Sequence, residues 1–141
     1  MKEQDESYKE EYIAEPRDPE EAFILDKKEL GLSIIDFWRW NQSDLVENRN
    51  RGILAEFIVK TALEIESTSR LEWDAYDFEI ETPEKKIKIE VKSAAYIQAW
   101  KQNKLSRISF NIAPTKTLLE DGNYSEERKR QADVYIFCLL D

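Results

Sequence analysis

The chain contains no histidine and a single cysteine, Cys138. Without histidine, the protein cannot use histidine-based catalytic triads or the histidine–metal sites of many phosphohydrolases. One cysteine cannot form a cysteine-rich zinc site or a CxxC pair. Any hydrolytic chemistry must therefore use carboxylates, lysine and a hard cation such as Mg²⁺, which prefers oxygen ligands.

Long apolar runs are also absent. No stretch approaches the roughly 20 apolar residues that cross a bilayer, and the opening sequence MKEQDESYKEEY is too polar for a signal peptide. A chain of 141 residues with 41% hydrophobic residues can bury a core of its own. We therefore expect a cytoplasmic protein with no membrane contact, made of a flexible acidic arm over 1–17 and a single domain over 18–141.

The charge is unevenly distributed. The net charge is −9, and residues 1–30 contribute −6 of it through eleven acidic and five basic side chains. Residues 85–118 instead carry eight basic residues against the single acid Glu90, a net of +7. A basic surface is what phosphate binding requires. The alternative is that these lysines form ordinary solvated faces.

Four helices are predicted in the first half of the chain. Asp18-Pro19-Glu20-Glu21 indicates a helix start, with Gly31 placed to end that helix. Ser33-Ile-Ile-Asp36 is a second capping signature and opens a short aromatic helix, and Ser43-Asp44 precedes a further helical stretch. Residues 52–66 have a wide apolar face and predict a helix that is buried on most sides.

From Leu71 the hydrophobic period changes to two, which is typical of strands. Because a helix between two strands indicates a parallel crossover while a hairpin is antiparallel, we expect a mixed sheet. The predicted order is a strand over 71–81, a turn over 82–85, a strand over 86–93, a helix over 94–104, a strand at Arg107–Ile112, a polar loop containing Asp121-Gly122-Asn123, and a last strand at Asp133–Leu140.

The hairpin register follows from its turn. Pro83 fits the first central position of a tight turn, so that opposed residues have numbers that add up to 167. This register pairs apolar residues on one face and opposite charges on the other, which supports it on both faces. The apolar pairs are Ile80 with Ile87, Phe78 with Ile89, and Tyr76 with Val91; the charged pairs are Glu81 with Lys86 and Glu79 with Lys88.

The next pair on the polar face is Asp77 with Glu90. Two opposed carboxylates repel each other and weaken the hairpin unless a cation bridges them. Lys92 projects from the same face because side chains alternate along a strand. The three residues therefore predict a divalent-metal site. The alternative is that Lys92 simply neutralises the two acids at a solvated sheet surface.

These segments resemble the PD-(D/E)xK nuclease superfamily, and more narrowly restriction-endonuclease-like bacterial proteins. The resemblance covers about residues 43–140. It implies an α/β fold with a restriction-endonuclease-like core, in which a mixed four- to five-stranded sheet is flanked by helices, here with extra N-terminal helices. It rests on Arg51-Gly52-Ile-Leu-Ala-Glu56-Phe, Trp73-Asp-Ala-Tyr-Asp77, Ile89-Glu90-Val91-Lys92-Ser93 and Tyr96-Ile-Gln98-Ala-Trp100.

The resemblance also implies roles for individual residues. Asp77 and Glu90, with the backbone carbonyl near Val91, would hold Mg²⁺ or alternatively Mn²⁺, and Lys92 would act on the attacking water and the transition state. Glu56, on the helix predicted over 52–66, would join a second metal site, although its spacing to Lys60 and Glu64 equally fits an exposed ion-pair stripe. The residues expected to support the site or contact DNA are Gln98, Ser93, Lys101, Lys104, Arg107 and Lys116.

The resulting prediction is a Mg²⁺-dependent deoxyribonuclease of restriction, defence or repair type. Cutting both strands with one small site would require a homodimer. Two alternatives remain open. One is a catalytically inactive nuclease-fold module that binds DNA or a protein partner, which the overall acidity favours. The other is an acidic protein that blocks a DNA-binding surface, for which residues 1–30 would be essential.

Overall fold

The computed structural model describes residues 14–66, 76–118 and 122–141. The described residues form a mixed α/β arrangement in which three small sheets accompany two helices. The elements, in chain order, are β1 (Ala22–Leu25), β2 (Lys28–Ser33), α1 (Ile34–Gln42), α2 (Asn48–Ala62), β3 (Phe78–Glu81), β4 (Lys86–Ala95), β5 (Thr115–Leu118), β6 (Tyr124–Lys129) and β7 (Val134–Leu140).

The N-terminal part is a hairpin, so the helix predicted from Asp18 to Gly31 is wrong. The Asp18 carboxylate accepts a hydrogen bond from the Glu20 N–H at 2.9 Å, and the Asp18 carbonyl accepts one from the Glu21 N–H at 3.1 Å. The Asp-Pro signature therefore closes a turn. Asp26 and Lys27 both have positive φ, 49° and 63°, as the two-residue loop of a type I′ hairpin requires.

The predicted capping signature at Ser33 is confirmed. The Asp36 carboxylate accepts hydrogen bonds from the Ser33 N–H at 2.9 Å and from the Ser33 hydroxyl at 3.0 Å. Both hydrogen bonds lower the pKa of Asp36 from its ordinary value, and the backbone bond has the larger effect. Helix α1 therefore begins directly after the hairpin. The hydrogen bonds that fix its first turn favour the charged form of the Asp36 carboxylate.

Helix α2 is the long helix that the sequence predicts, although it begins and ends four residues earlier than expected. It begins at Asn48 because the Glu47 carboxylate accepts hydrogen bonds from the N–H groups of Arg49 and Asn50, both at 3.0 Å. The prediction that this helix is buried on most sides is wrong. Its buried residues are Asn50, Arg51, Ala55 and Val59, whereas Phe57 is 61% exposed and Ile58 is 55% exposed.

The central sheet has the order β3-β4-β7. Strand β3 pairs with β4 in antiparallel fashion, and β4 pairs with β7 in parallel fashion, which confirms the prediction of a mixed sheet. Part of the strand predicted over 71–81, residues 71–75, lies outside the described residues. The ladder pairs are Phe78 with Ile89, Glu79 with Lys88, Ile80 with Ile87 and Glu81 with Lys86, which follow the predicted register. The other two predicted pairs, Tyr76 with Val91 and Asp77 with Glu90, are not part of the ladder.

Two predicted elements between β4 and β7 are wrong. Strand β4 continues to Ala95, and the described residues 96–104 contain no helix. Residues 107–112 do not form a strand. Of the predicted polar loop, Gly122 and Asn123 lie between the strands of the antiparallel hairpin β5–β6, which was not predicted, and Asp121 lies outside the described residues. The connection from β4 to β7 is therefore parallel as expected, but it contains no helix.

The hydrophobic core lies between α2 and β4. Ala55, Val59 and Val91 form a buried cluster against which Phe78, Ile136 and Cys138 pack. Partial burial raises the pKa of the Cys138 thiol. None of the helices in the described part of the chain is long and apolar enough to cross a membrane.

The fold class is thus mixed α/β, with differences from the expected core. The central sheet of the described residues has three strands instead of four or five. In the part of the chain described from residue 14 onward, the expected extra N-terminal helices are not seen: a hairpin replaces the helix predicted over 18–31, and α1 is the one helix before α2. A restriction-endonuclease-like core therefore stays a prediction.

Candidate active site on the central strand

Glu90 and Lys92 lie two residues apart on β4 and form an ion pair. The Lys92 Nζ lies 2.5 Å from the Glu90 Oε1, and the two side chains are 34% and 22% exposed, respectively. Their neighbours Ile89 and Val91 are buried because side chains alternate along a strand. The charged pair is therefore directed away from the core between α2 and β4.

A cleft of about 380 Å³ opens beside this ion pair. Phe110 stacks on Phe137 with ring centroids 4.5 Å apart. In the parallel register, Tyr135 is the partner of Glu90, and Phe137 is the partner of Lys92. The cleft is lined by Glu90, Lys92, Ser93, Ser109, Phe110, Asn111, Ile112, Ala113, Thr115, Gln131 and Tyr135.

Asp77 lies at the backbone of the residue between Glu90 and Lys92. Its carboxylate Oδ2 accepts a hydrogen bond from the Val91 N–H at 2.6 Å, and its own N–H donates to the Ile89 carbonyl at 2.9 Å. The antiparallel ladder ends one pair earlier, at Phe78 and Ile89. Asp77 is therefore brought to the Glu90–Lys92 segment through a backbone hydrogen bond.

Asp133 makes the same pair of contacts on the other edge of β4. Its carboxylate Oδ2 accepts a hydrogen bond from the Lys88 N–H at 2.9 Å, and its N–H donates to the Lys88 carbonyl at 2.8 Å. This aspartate joins the start of β7 to β4. The two aspartates thus hold the strand that carries the ion pair. Asp77 binds it at Val91, between Glu90 and Lys92, and Asp133 binds it at Lys88.

The polar face of the hairpin is neutralised by diagonal contacts. The Lys86 Nζ lies 2.7 Å from the Glu79 Oε1, and the Tyr76 hydroxyl donates to the Glu79 Oε2 at 3.0 Å. Both hydrogen bonds lower the pKa of Glu79, and the bond from Lys86 has the larger effect. In turn, Glu79 raises the pKa of Lys86. The Lys88 Nζ lies 4.8 Å from the centre of the Tyr76 ring. These contacts on the polar face of the hairpin involve neither Asp77 nor Glu90.

Arg51 is a buried cation for which sequence reasoning assigned no role. It is 5% exposed, and its guanidinium donates to four neutral oxygens. These belong to the Ser93 hydroxyl at 3.2 Å, the Val46 carbonyl at 3.0 Å, the Gln98 amide at 3.3 Å and the Asn48 amide at 2.7 Å. Arg51 therefore joins the first turn of α2 to the end of β4.

Two residues predicted to support the site belong to this network. The Ser93 hydroxyl is the acceptor of the Arg51 Nε–H. Gln98, expected on a helix, lies in a loop, where its Nε2 donates to the Ala95 carbonyl at 2.8 Å and to the Ser106 hydroxyl at 3.2 Å. Both side chains hold the backbone around the end of β4.

The predicted DNA-contacting basic residues are all exposed. Lys101 and Lys104 lie in the loop after β4, Arg107 precedes the cleft wall, and Lys116 is on β5. An exposed lysine or arginine can contact a phosphate without first leaving a buried position. Their exposure is compatible with the predicted role and is not specific to it.

The oxygen atoms near the cleft suit a hard cation. Mg²⁺ in proteins is held by one or two carboxylates and keeps several waters, and Asp77 and Glu90 supply two carboxylates on neighbouring segments. Within the described ranges, no group of three acidic, cysteine or histidine side chains is close enough to hold a metal. Of these acids, Glu90 lines the cleft, whereas Asp77, whose carboxylate accepts the Val91 N–H, and Glu56 are not among its lining residues.

The cleft contains residues that sequence reasoning missed. Asn111, Gln131 and Tyr135 line it beside Glu90 and Lys92. The parallel pairing of Glu90 with Tyr135 places this tyrosine at the site. The register of the predicted parallel strand would have located Tyr135. No sequence signal marks Asn111 or Gln131.

The comparisons with known proteins show a family match. A family model described as bacteriophage T4 endonuclease IV matches residues 31–141. No curated protein and no solved structure matches the chain. The matched range includes the cleft, the ion pair and both aspartates that hold β4.

Proposed function

The chain belongs to the bacteriophage T4 endonuclease IV family, and from this premise we propose that it hydrolyses phosphodiester bonds of DNA at the cleft beside Glu90 and Lys92. The observation that carries the proposal is the ion pair of 2.5 Å on β4 that lines this cleft. A carboxylate and an ammonium group at the wall of an open cleft can act on a phosphate group. The exposed lysines and arginine named above would hold the flanking phosphates.

The proposed activity depends on Mg²⁺, with Mn²⁺ as a substitute. Asp77 and Glu90 would hold the ion together with the backbone carbonyl of Val91, and the proposed donors are all hard oxygens. A bound divalent ion lowers the pKa of water and polarises a phosphoryl oxygen. Glu56, on the helix that packs against the other face of β4, is not part of this proposed site.

Lys92 is the proposed electrostatic group of the reaction. Its ammonium lies 2.5 Å from Glu90 in the structure, so the side chain already points along the wall where a phosphate would lie. When negative charge grows on the phosphoryl oxygens, a fixed positive charge at this position stabilises it. The same ammonium can orient a water for attack by donating a hydrogen bond to it.

The finer classification is also part of the proposal. The Asp77, Glu90-x-Lys92 pattern favours the PD-(D/E)xK type of nuclease, in a restriction, defence or repair role. Hydrolysis of both strands at one position would then require a homodimer, since one cleft can act on one strand at a time. Cleavage products that are nicked instead of linear would indicate action by a single chain.

The test is cleavage of plasmid DNA in Mg²⁺ by the unmodified chain and by Lys92→Ala. Lys86→Ala is the matched control, because Lys86 lies on the same strand and also pairs with a glutamate at 2.7 Å, but does not line the cleft. We expect Lys92→Ala to lose cleavage and Lys86→Ala to retain it. Equal cleavage by all three proteins would rule the assignment out.

A second candidate is a nuclease-fold module that binds DNA or a protein without cutting. It is favoured by the close Glu90–Lys92 contact, which neutralises the carboxylate, and by the missing third acid among the described residues. Calorimetric titration with Mg²⁺ or Mn²⁺ separates the two. The nuclease requires a binding signal that Glu90→Gln abolishes, whereas the inactive module gives DNA binding and no such signal.

A further inference from the structure

The loop of residues 96–106, which follows β4, is closed by its own polar groups. The Ser106 N–H donates to the Tyr96 carbonyl at 2.9 Å, so the two ends of the loop meet. The Gln102 amide lies inside the loop: its Oε1 accepts from the Gln98 N–H at 2.7 Å, and its Nε2 donates to the Ser106 hydroxyl at 3.0 Å. Compact loops of this kind keep a defined shape without regular secondary structure.

The closed loop is also attached to the body of the protein. The Gln98 Nε2 donates to the Ala95 carbonyl at 2.8 Å, and the Gln98 Oε1 accepts from the Arg51 guanidinium at 3.3 Å. Arg51 is itself 5% exposed. The inner side of the loop is therefore held by a buried arginine, and little ordering is left for a ligand to impose. Preorganisation of this kind reduces the entropy lost on binding.

The outer side of the loop is basic and carries one large aromatic ring. Trp100 is 63% exposed, and Lys101 and Lys104 are both exposed. Residues 96–107 contain three basic side chains and no acidic one, in a chain whose net charge is −9. This local excess of positive charge is complementary to a polyanion and lies just after the strand that carries Glu90 and Lys92.

We propose that the loop 96–106 is a preformed nucleic-acid contact surface outside the cleft. Lys101 and Lys104 bind backbone phosphates, and Trp100 packs against a base or a sugar. Exposed aromatic rings beside basic groups are the usual composition of such surfaces. The inference takes the identity of the ligand from the proposed function, but it does not require that the chain cleave DNA.

A protein partner would also use exposed apolar residues, and Ile97 and Leu105 are 62% and 65% exposed. The charge of the loop favours the nucleic acid, because lysine is depleted in the centre of protein interfaces. The protein partner is therefore the outcome to be expected if the nucleic-acid test fails.

The experiment measures binding of a fluorescently labelled oligonucleotide by anisotropy at several salt concentrations. All proteins carry Glu90→Gln in the full chain, so that binding is measured without cleavage. Each lost phosphate contact lowers the slope of log K against log salt by about 0.7 for single-stranded and about 0.9 for double-stranded DNA. We expect Lys101→Gln with Lys104→Gln to lower the slope by about 1.4 to 1.8.

The aromatic contact has a different signature. Stacking on a base contributes about 1–3 kcal/mol, so Trp100→Ala is expected to weaken binding by about 5- to 150-fold and to leave the salt slope unchanged. The matched control is Lys27→Gln with Lys28→Gln, which removes two exposed lysines from the β1–β2 hairpin. This control is expected to change neither the affinity nor the slope by a comparable amount.

The outcomes separate this inference from the proposed function. A chain that fails to cleave DNA but shows the expected changes in slope and affinity would refute the nuclease and leave the contact surface in place. A chain that cleaves DNA while the loop variants bind like the parent protein would refute the contact surface alone. If the parent protein binds no DNA at any salt concentration, the inference is overturned.

Discussion

Asp77 is the residue whose structural role and proposed catalytic role can be separated most sharply. Its carboxylate accepts the Val91 N–H at 2.6 Å, and the carboxylate of Asp133 accepts the Lys88 N–H at 2.9 Å. Asp77→Asn and Asp133→Asn each keep an oxygen that can accept this bond and remove the charge. A hydrogen bond to a charged group contributes about 1.5–3 kcal/mol and a neutral one about 0.5–1.5 kcal/mol.

Each variant should therefore lose about 1 kcal/mol of unfolding free energy, with the smaller loss at Asp133, which is more exposed. For a chain of 141 residues this lowers Tm by about 3–4 °C. Activity should differ far more. If Asp77 holds the metal, Asp77→Asn should lower kcat/KM on the order of 100-fold or more, a change of about 2.7 kcal/mol, while Asp133→Asn stays within about twofold of the parent.

The assay is a pair of measurements on the same preparations: thermal unfolding by calorimetry and plasmid cleavage in Mg²⁺. The matched loss of stability controls for the backbone bond that both aspartates make. If Asp77→Asn and Asp133→Asn both cleave within about twofold of the parent, the carboxylate serves only to hold β4 and the metal assignment is refuted. Equal and large losses of activity in both variants would show that strand position alone controls the cleft.

Three further results are expected. In Ser33→Ala, the pKa of Asp36 measured by NMR titration should rise but stay below its ordinary value, because the backbone hydrogen bond remains. Folding lowers this pKa, so the difference in unfolding free energy between the parent and Ser33→Ala should be present above the unfolded-state pKa. It should disappear as the pH falls through the folded-state pKa. Gly31→Ala, at φ +71°, should lower the unfolding free energy by about 1–2 kcal/mol, whereas Gly52→Ala inside α2, where a Cβ meets nothing within 4 Å, should raise it by about 1 kcal/mol. Arg51→Ala should lower it by about 3 kcal/mol or more in urea unfolding, because four oxygens lose the hydrogen bonds that they accept from the buried guanidinium.

The hairpin β3–β4 was predictable in register from sequence alone. Its apolar and charged residues alternate with period two on both strands, and Pro83 fixes the turn. A shift by one residue would place Ile87 and Ile89 on the polar face, so only one register satisfies both faces. What the pattern could not give is the end of the ladder, where the Asp77 carboxylate turns to the Val91 backbone.

The helix predictions failed where polar side chains bond to nearby backbone in other ways. The Asp18 signature is used by a turn instead of a helix cap. In residues 96–106, Gln98 and Gln102 satisfy backbone groups of the loop, and a side chain that competes for backbone partners in this way favours a loop over a helix. The sequence pattern is the same in both outcomes, so tertiary contacts decide.

The wall of the cleft depends on contacts between distant segments. The Phe110–Phe137 stack and the pairing of Glu90 with Tyr135 join residues that are 27 and 45 positions apart. Periodicity in one segment does not report on either contact. Glu90 and Lys92 were found because their spacing is local, whereas Asn111 and Gln131 became visible only in the folded chain.

The most direct test of the account is single-turnover DNA cleavage by the unmodified chain and by Glu90→Gln, each in Mg²⁺ and in a chelator. Because Glu90 lies at the cleft wall and is one of two proposed carboxylate ligands, we expect cleavage only by the unmodified chain and only with Mg²⁺. Cleavage by Glu90→Gln at the rate of the unmodified chain, or cleavage that persists in the chelator, would contradict it.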